Sequence, residues 1–304
     1  MNIKGLACHA ITWSNYKLVD IIEDIANLGF DGIELPSEFI LDSELSYSRI
    51  KQISDRRNIS IISVYQTVRL GNKDDSVRQY ELKRCELLID LTHTLGIEYL
   101  IIGDPPTDYN DDPIILAERL EELGTVAKSR GVSLCYHPHK GSIIETSGQI
   151  NKLLELTSLD KVSLCLDMGH LYWGGGDPVQ ILREYIQRVG YIHFKDVRKK
   201  PLNNFEKLIE IIKSISVMTS RRAKFRYIGL MLLAIKGPII TELGRGDIDY
   251  FGVIKELDEL NYDGWITIEL DAPTLVPKLS LGRCLSHVNE LLRLVEPKNN
   301  LNCV

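Results

Sequence analysis

The amino-acid sequence predicts a single closed (β/α)8 barrel, or TIM barrel, with an insertion after the seventh strand. Its 304 residues suit one such domain, and 44% of them are hydrophobic and 26% charged, as in soluble globular proteins. Short apolar runs alternate with segments whose apolar residues recur at helical spacing. Polar or small residues end successive runs about 30 residues apart, the length of a βα unit: Glu34, Gln66, Gly103, His137, Asp167 and His193.

Eight apolar runs are the predicted barrel strands. They lie at residues 3–8, 32–35, 59–65, 98–102, 132–136, 162–166, 191–194 and 265–270. Eight strands with helices between them favour a closed barrel over an open sheet. The wide gap between His193 and Glu269 leaves room for an insertion at about residues 199–240. The barrel therefore extends over residues 1–296, and residues 297–304 form a polar tail.

Helix boundaries are marked by capping residues and glycine. Gly29 ends a helix over residues 18–28, and Asp112-Pro113 and Asp177-Pro178 each combine an N-cap with a proline at the first helical position. Asp249 is expected to cap a helix at about residues 250–260, and a last helix covers residues 279–295.

Charge and composition exclude several classes of partner. The net charge of −6 provides no basic field for nucleic acid. The amino-terminal residues lack the apolar core of a signal peptide, and Lys236 and Pro238 interrupt the most apolar late stretch, so we expect no membrane partner. Six cysteines without a CxxC pair indicate a reducing compartment, and a cytoplasmic location is predicted. The sequence is compatible with a homo-oligomer.

Four residues at the ends of the last four strands form a candidate metal site: His137, Asp167, His193 and Glu269. Carboxyl ends of barrel strands converge on one mouth, so these side chains should meet there. A set of imidazoles and carboxylates suits Mn²⁺, Co²⁺, Zn²⁺ or Fe²⁺ better than Ca²⁺. The structural alternatives are a surface-loop histidine for His137, a helix cap for Asp167, a core histidine for His193 and a salt bridge for Glu269.

Three further side chains near these strand ends are candidates for proton transfer. His139 leaves the same strand end as His137, and Gly169 lets the chain turn so that His170 faces the mouth. Strand alternation places Lys195 on the same side as His193.

Five segments resemble the xylose isomerase-like barrel superfamily of sugar isomerases, epimerases and dehydratases. They are GFDGIELP at 29–36, YHPHKG at 136–141, LDMGH at 166–170, HFKDVR at 193–198 and LGRGDIDY at 243–250. Within this superfamily the sequence is similar to inosose (2-keto-myo-inositol) dehydratases. The resemblance covers nearly the whole chain.

The resemblance implies a metal held by one residue from each of strands five to eight, at the positions of the four candidate ligands. Many members have glutamate where this sequence has His137, and His139 is the alternative ligand at that position. The candidate substrate-binding residues are Glu34, Gln66, His139, His170 and Lys195.

The leading hypothesis is a metal-dependent hydro-lyase that dehydrates a cyclic polyol ketone such as 2-keto-myo-inositol through an enediolate. A base must take the α-proton and an acid must protonate the departing hydroxyl. His139 or His170 is expected to act as base or acid, Lys195 to steady the oxyanion, and Glu34 to hold substrate hydroxyls.

Three other functions fit the same barrel. A metal-dependent sugar or keto-sugar isomerase or epimerase would share the first half of the reaction. A DNA-repair nuclease of the endonuclease IV type would need a larger metal cluster and a basic surface, against which the net charge of −6 argues. A non-enzymatic sugar-binding barrel would show neither metal dependence nor turnover.

Overall fold

Eight parallel strands close into a barrel in the computed structural model of the protein, which describes residues 2–13, 16–106, 110–199, 239–271, 273 and 275–295. Around the barrel the order is β1, β10, β7, β6, β5, β4, β3 and β2, so the predicted fold is confirmed. The barrel strands are β1 Gly5–His9, β2 Gly32–Pro36, β3 Ser60–Thr67, β4 Tyr99–Gly103, β5 Ser133–His137, β6 Ser163–Asp167, β7 Val189–Phe194 and β10 Trp265–Ile268.

Ten described helices accompany these strands, together with two short 3-10 turns at Ala10–Trp13 and Ile186–Arg188. The helices are α1 Leu18–Leu28, α2 Ser37–Leu41, α3 Tyr47–Arg56, α4 Asp75–Thr94, α5 Pro113–Ser129, α6 Ser147–Leu156, α7 Met168–Trp173, α8 Pro178–Tyr185, α9 Tyr250–Glu259 and α10 Pro277–Val295. None of the helices in the described ranges has the length and apolarity needed to cross a bilayer.

Several strands extend further toward their carboxyl ends than the apolar runs predict. Parallel pairing continues through the polar residue that follows the run, as the pairing of Gly103 with His137 and of Asp167 with His193 shows. The polar side chains are therefore fixed by strand backbone and do not sit on loops. A site built on strands in this way is held more rigidly than one built on connecting segments.

Two apolar layers surround the sheet. The larger layer lies between the strands and the helices and contains most of the buried aliphatic side chains. The smaller layer fills the barrel interior with Ala7, Ile62, Tyr99, Ile101, Cys135, Cys165 and Tyr191. This interior layer fills the barrel below the strand ends, so the barrel interior is a packed core and not a channel.

A short two-stranded antiparallel sheet follows β7. Its strands are β8 Asp196–Arg198 and β9 Ile239–Thr241. The predicted insertion at about residues 199–240 falls almost wholly between these two strands and outside the described residues. The predicted tail at 297–304 also lies outside the described residues.

Candidate metal centre and active site

The four predicted metal ligands meet at the mouth of the barrel. One ligand atom from each of His137, Asp167, His193 and Glu269 lies within 4.8 Å of the others, and all four residues are buried. His137 and Asp167 end β5 and β6, and His193 lies one residue before the end of β7. Glu269 directly follows β10, where its backbone N–H donates to the carbonyl of Phe194 at 3.0 Å.

Two atoms of this cluster are close together without being hydrogen-bonded. His193 Nδ1 and Glu269 Oε2 lie 2.9 Å apart, yet neither has a hydrogen-bond partner among the described residues, and the same is true of His137 Nδ1. Buried polar atoms are normally paired, and exceptions often mark the place of an ion. Two imidazoles and two carboxylates suit Mn²⁺, Co²⁺ or Zn²⁺, so the residues present fit a divalent cation.

Glu34 lies behind His193. Its Oε1 is 2.9 Å from His193 Nε2 and 3.1 Å from His9 Nε2, and its Oε2 accepts a 2.6 Å hydrogen bond from Ser63. Burial opposes ionisation, but His193, His9 and Ser63 together lower the pKa of Glu34 to about 2. The carboxylate therefore orients the His193 ring so that Nδ1 faces the cluster, a carboxylate–histidine arrangement typical of metal sites.

Lys195 is a buried cation next to the cluster. Its Nζ contacts three carboxylate oxygens and one ring nitrogen: Glu269 Oε1 at 2.8 Å, Asp271 Oδ2 at 3.0 Å, Asp167 Oδ2 at 3.3 Å and His170 Nε2 at 2.9 Å. Burial alone would lower the pKa of Lys195, but the three carboxylates outweigh it and raise that pKa. The side chain is therefore an ammonium ion that can donate but not accept.

His139 and His170 lie side by side, and each uses a different ring nitrogen for a hydrogen bond: Nδ1 in His139 and Nε2 in His170. His139 Nδ1 is 2.7 Å from the Lys140 carbonyl, which can only accept, so Nδ1 carries the hydrogen and Nε2 keeps its lone pair. His170 Nε2 accepts from the Lys195 ammonium, so Nδ1 carries the hydrogen there, and Nδ1 is buried without a partner in the described chain. Their ring centroids are 3.7 Å apart.

Both rings are held in the neutral form. Burial, Lys195 and His137 lower the pKa of His139 to about 4, and burial, His139 and Lys195 lower the pKa of His170 well below its usual value. Near neutral pH the pair therefore offers one basic nitrogen, on His139, and one N–H donor, on His170.

One carboxylate oxygen of Asp167 caps a helix, and the other faces the four-residue cluster. Its Oδ1 accepts from the backbone N–H of His170 at 2.7 Å and caps α7, whereas its Oδ2 lies 3.4 Å from His137 Nε2. Asp167 is therefore both a helix cap and a member of the four-residue cluster. Gly169 makes this packing feasible, because a Cβ there would lie 2.6 Å from the carbonyl oxygen of Lys195.

Gln66 is not brought together with the other predicted site residues. Its Oε1 accepts from the Ser37 hydroxyl and its Nε2 donates to the Thr67 carbonyl at 2.7 Å. Side chains alternate along β3, and Ser63 and Tyr65 point into the barrel, so Gln66 faces outward. Its buried amide joins β3 to α2.

Three residues of the site were missed by sequence reasoning. His9 ends β1 and carried the same strand-end signal, but the predicted strand ended one residue too early. Asp271 contacts Lys195. Its sequence signal was its position two residues past the strand-end Glu269. Tyr65, with its ring centroid 5.6 Å from that of His137, had no sequence signal beyond that of an ordinary strand aromatic.

Comparison with known proteins places this geometry in context. A family profile described as the xylose isomerase-like TIM barrel matches residues 22–287. An inosose dehydratase of Clostridium perfringens (strain 13 / Type A) is 27% identical over 327 aligned positions that cover 99% of both chains.

Two solved structures share the fold. The IOLI protein with a bound zinc atom has a TM-score of 0.74 at 17% identity and covers 96% of this chain and 99% of its own. An L-ribulose 3-epimerase has a TM-score of 0.72 at 15% identity and covers 99% of this chain and 100% of its own.

Proposed function

The chain is an enzyme of the xylose isomerase-like TIM barrel family, and from this premise we propose that it is a metal-dependent hydro-lyase acting on a cyclic polyhydroxy ketone such as 2-keto-myo-inositol. One observation carries the proposal beyond family membership. A neutral basic nitrogen on His139 and an N–H donor on His170, backed by the Lys195 ammonium, lie beside the four-residue cluster. Dehydration needs such a base and such a donor at one site.

His137, Asp167, His193 and Glu269 would hold the divalent cation, Mn²⁺, Co²⁺ or Zn²⁺. When bound, the cation would supply Lewis-acid polarisation of the substrate ketone and stabilise the negative charge that develops as the α-proton leaves. His139, which sequence reasoning kept as an alternative ligand, is left for proton transfer in this proposal.

The proton at the α-carbon passes to His139 Nε2, and the carbon–hydrogen electron pair moves into the enediolate. Its ring stays oriented because Nδ1 remains bonded to the Lys140 carbonyl. The buried Lys195 ammonium stabilises the oxyanion, because its positive charge lies beside the cluster where that negative charge develops.

The hydroxyl on the next carbon then leaves. His170 Nδ1–H donates to the departing oxygen, the carbon–oxygen bond breaks, and one water is released. The proton that His170 gives up is replaced at Nε2 from Lys195, which lies 2.9 Å away. His139 ends the cycle with one added proton and Lys195 with one fewer, so a proton must return before the next turnover.

Glu34 in this proposal positions His193 and does not hold substrate hydroxyls, because its two oxygens contact His193, His9 and Ser63. Gln66 has no role in the reaction, because its amide is committed to Ser37 and Thr67.

The test uses protein stripped of metal with a chelator and reloaded separately with Mn²⁺, Co²⁺ or Zn²⁺. Each sample is incubated in D2O with 2-keto-myo-inositol and, in parallel, with a panel of ketoses, and products are followed by mass spectrometry and proton NMR. We expect metal-dependent loss of the mass of one water from the inosose. A product that has lost no water but gained solvent deuterium would instead assign an isomerase or epimerase.

A further inference from the structure

Asp271 is a carboxylate at the barrel mouth that has no role in the reaction steps above. It lies two residues past Glu269, where the chain leaves β10. Its Oδ2 is 3.0 Å from Lys195 Nζ, and this is its only ion pair among the residues that the structure describes. Within the same part of the chain, no donor is hydrogen-bonded to its Oδ1. Asp271 therefore has capacity to accept a hydrogen bond from a ligand.

Lys195 cannot satisfy every acceptor around it. An ammonium group has three N–H donors, whereas four acceptor atoms lie within 3.3 Å of Lys195 Nζ. It is hydrogen-bonded to Glu269 Oε1 and His170 Nε2, which leaves one N–H for Asp271 and Asp167 together. Since a carboxylate oxygen that lacks a donor is costly to bury, a ligand hydroxyl that donates to one of these two is bound favourably.

Asp271 is the most accessible carboxylate of this group. Its side chain is 15% exposed, whereas the side chain of Glu269 is 7% exposed and those of Asp167 and Glu34 are 0% exposed. A substrate that enters from solvent contacts accessible atoms first. The hydroxyl-binding role that was expected of Glu34 therefore suits Asp271 better.

Asp271 also lies over the mouth and not to one side of it. His9 ends β1 and His139 follows β5, and these two strands are opposite each other in the order around the barrel. Burial lowers the pKa of both rings, and the negative charge of Asp271 opposes that shift in both. A charge that acts on rings at opposite sides of the barrel lies between them, where the substrate of the proposed function must bind.

We propose that Asp271 determines substrate specificity by accepting a hydrogen bond from a substrate hydroxyl next to the ketone. Lys195, its ion-pair partner, lies where the ketone oxygen develops negative charge, so Asp271 is placed for the hydroxyl on the neighbouring carbon. That carbon is the α-carbon that keeps its hydrogen, because the other α-carbon faces the base. The substrate class is thus a ketone with a hydroxyl on both α-carbons. This inference rests on the proposed function and adds how that site recognises its substrate.

The experiment compares 2-keto-myo-inositol with the analogue that lacks one of the two hydroxyls next to the ketone. The value of kcat/KM for dehydration of each ketone is measured with the metal-loaded unmodified protein and with Asp271→Ala. In the unmodified protein, loss of the hydroxyl should lower kcat/KM by roughly 10- to 100-fold, because a hydrogen bond to a charged group is lost. In Asp271→Ala the two ketones should differ by less than about threefold, because the acceptor is already absent.

A role of Asp271 in holding Lys195 alone predicts a different result. Asp271→Ala would then lower kcat/KM for both ketones by the same factor, and the preference for the complete ketone would persist in the variant. That outcome would overturn the inference and leave the proposed function standing. Dehydration of neither ketone by the unmodified protein would refute the proposed function and this inference with it.

Asp263→Ala is the matched control. Asp263 is an exposed carboxylate just before the amino end of the same strand, β10, at the opposite end of the barrel from the mouth. Its variant should keep the full preference for the complete ketone. All variants should also keep their metal, since neither aspartate belongs to the four-residue cluster, and loss of metal from Asp271→Ala would count against a role in substrate recognition.

Asp271→Asn provides a second variant that matches the native side chain in size. Its amide oxygen is an uncharged and weaker acceptor, so this variant should retain only part of the preference for the complete ketone. An undiminished preference in Asp271→Asn and in Asp271→Ala would show that the hydroxyl is bound elsewhere.

Discussion

At the scale of single residues, the site depends on which nitrogen of each histidine is left for chemistry. His193 gives Nε2 to Glu34, His139 gives Nδ1 to a backbone carbonyl, and His170 gives Nε2 to Lys195. Each ring is thus oriented by a partner outside the cluster. The sequence shows which histidines end strands, but these partners come from other strands or from backbone and are visible only in the structure.

The base assignment predicts a large effect of His139→Gln. The variant should lower kcat by about 10²- to 10⁴-fold, because the general base is lost, while metal content stays normal. Turnover of 2-keto-myo-inositol and metal analysis check this together. His93→Gln, on the exposed face of α4, is the control and should leave kcat unchanged. A His139 variant with kcat within a few-fold of the unmodified protein would move the base elsewhere.

Glu34→Gln separates two roles for this carboxylate. If Glu34 orients His193, the variant should weaken metal affinity by about 10- to 100-fold, as measured by competition with a chromogenic chelator. If Glu34 instead holds substrate hydroxyls, as the sequence alone suggested, metal affinity would be unchanged and KM would rise. The geometry favours the first outcome, because both carboxylate oxygens contact neighbouring side chains.

At the scale of elements, helix starts were predictable because aspartate caps leave a local signal. Asp112, Asp177 and Asp249 each accept a hydrogen bond from a backbone N–H of the first helical turn. Helices α2, α3, α4, α6 and α7 were not predicted. The face that α3 buries is small, with Ile50 and Ile53 as its only buried apolar side chains, so its periodicity is faint.

The Asp249 cap has a measurable contribution to stability. Asp249→Ala should lower the free energy of unfolding by about 1 kcal/mol, because the N–H of Gly252 loses its acceptor at the start of α9. Asp249→Asn retains a side-chain oxygen and should lose much less. Urea unfolding of the three proteins checks this, and equal losses in both variants would show that the cap is not the source.

At the scale of the whole molecule, the barrel explains why the cluster could be predicted at all. Parallel strands that close on themselves place their carboxyl ends around one mouth, so strand-end residues far apart in sequence must meet. The inward or outward direction of each side chain was harder to predict. The β2–β3 pairing has an irregularity between Ile33 and Glu34, and Gln66, beyond it on β3, faces outward while Tyr65 faces the site.

A buried carboxyl makes the stability of the whole fold depend on pH. Asp104 directly follows β4, and burial raises its pKa from the usual 3.8 to about 7, although Tyr136 donates a 2.6 Å hydrogen bond to it. Between these values the folded protein holds a proton that the unfolded chain releases. The free energy of unfolding therefore falls as pH rises through this window, by about 1.4 kcal/mol per unit.

Asp104→Asn should remove this contribution. The free energy of unfolding of the variant, minus that of the unmodified protein, should increase from pH about 5 to pH about 8, as measured by urea unfolding at both values. Other carboxyls with lowered pKa values, such as Glu34, act at lower pH and cancel in the comparison. A difference between the two proteins that does not change with pH would place Asp104 in the ionised state throughout.

In the proposed function, the strand-end cluster binds a metal on which activity depends. The most direct measurement is the metal content and activity of His193→Ala after stripping and reloading with Zn²⁺ or Co²⁺, beside the unmodified protein and His93→Ala. We expect the unmodified protein and the control to retain metal and turnover, whereas His193→Ala, which removes one of the four metal ligands, should lose both. Full metal content and full activity in His193→Ala would contradict it.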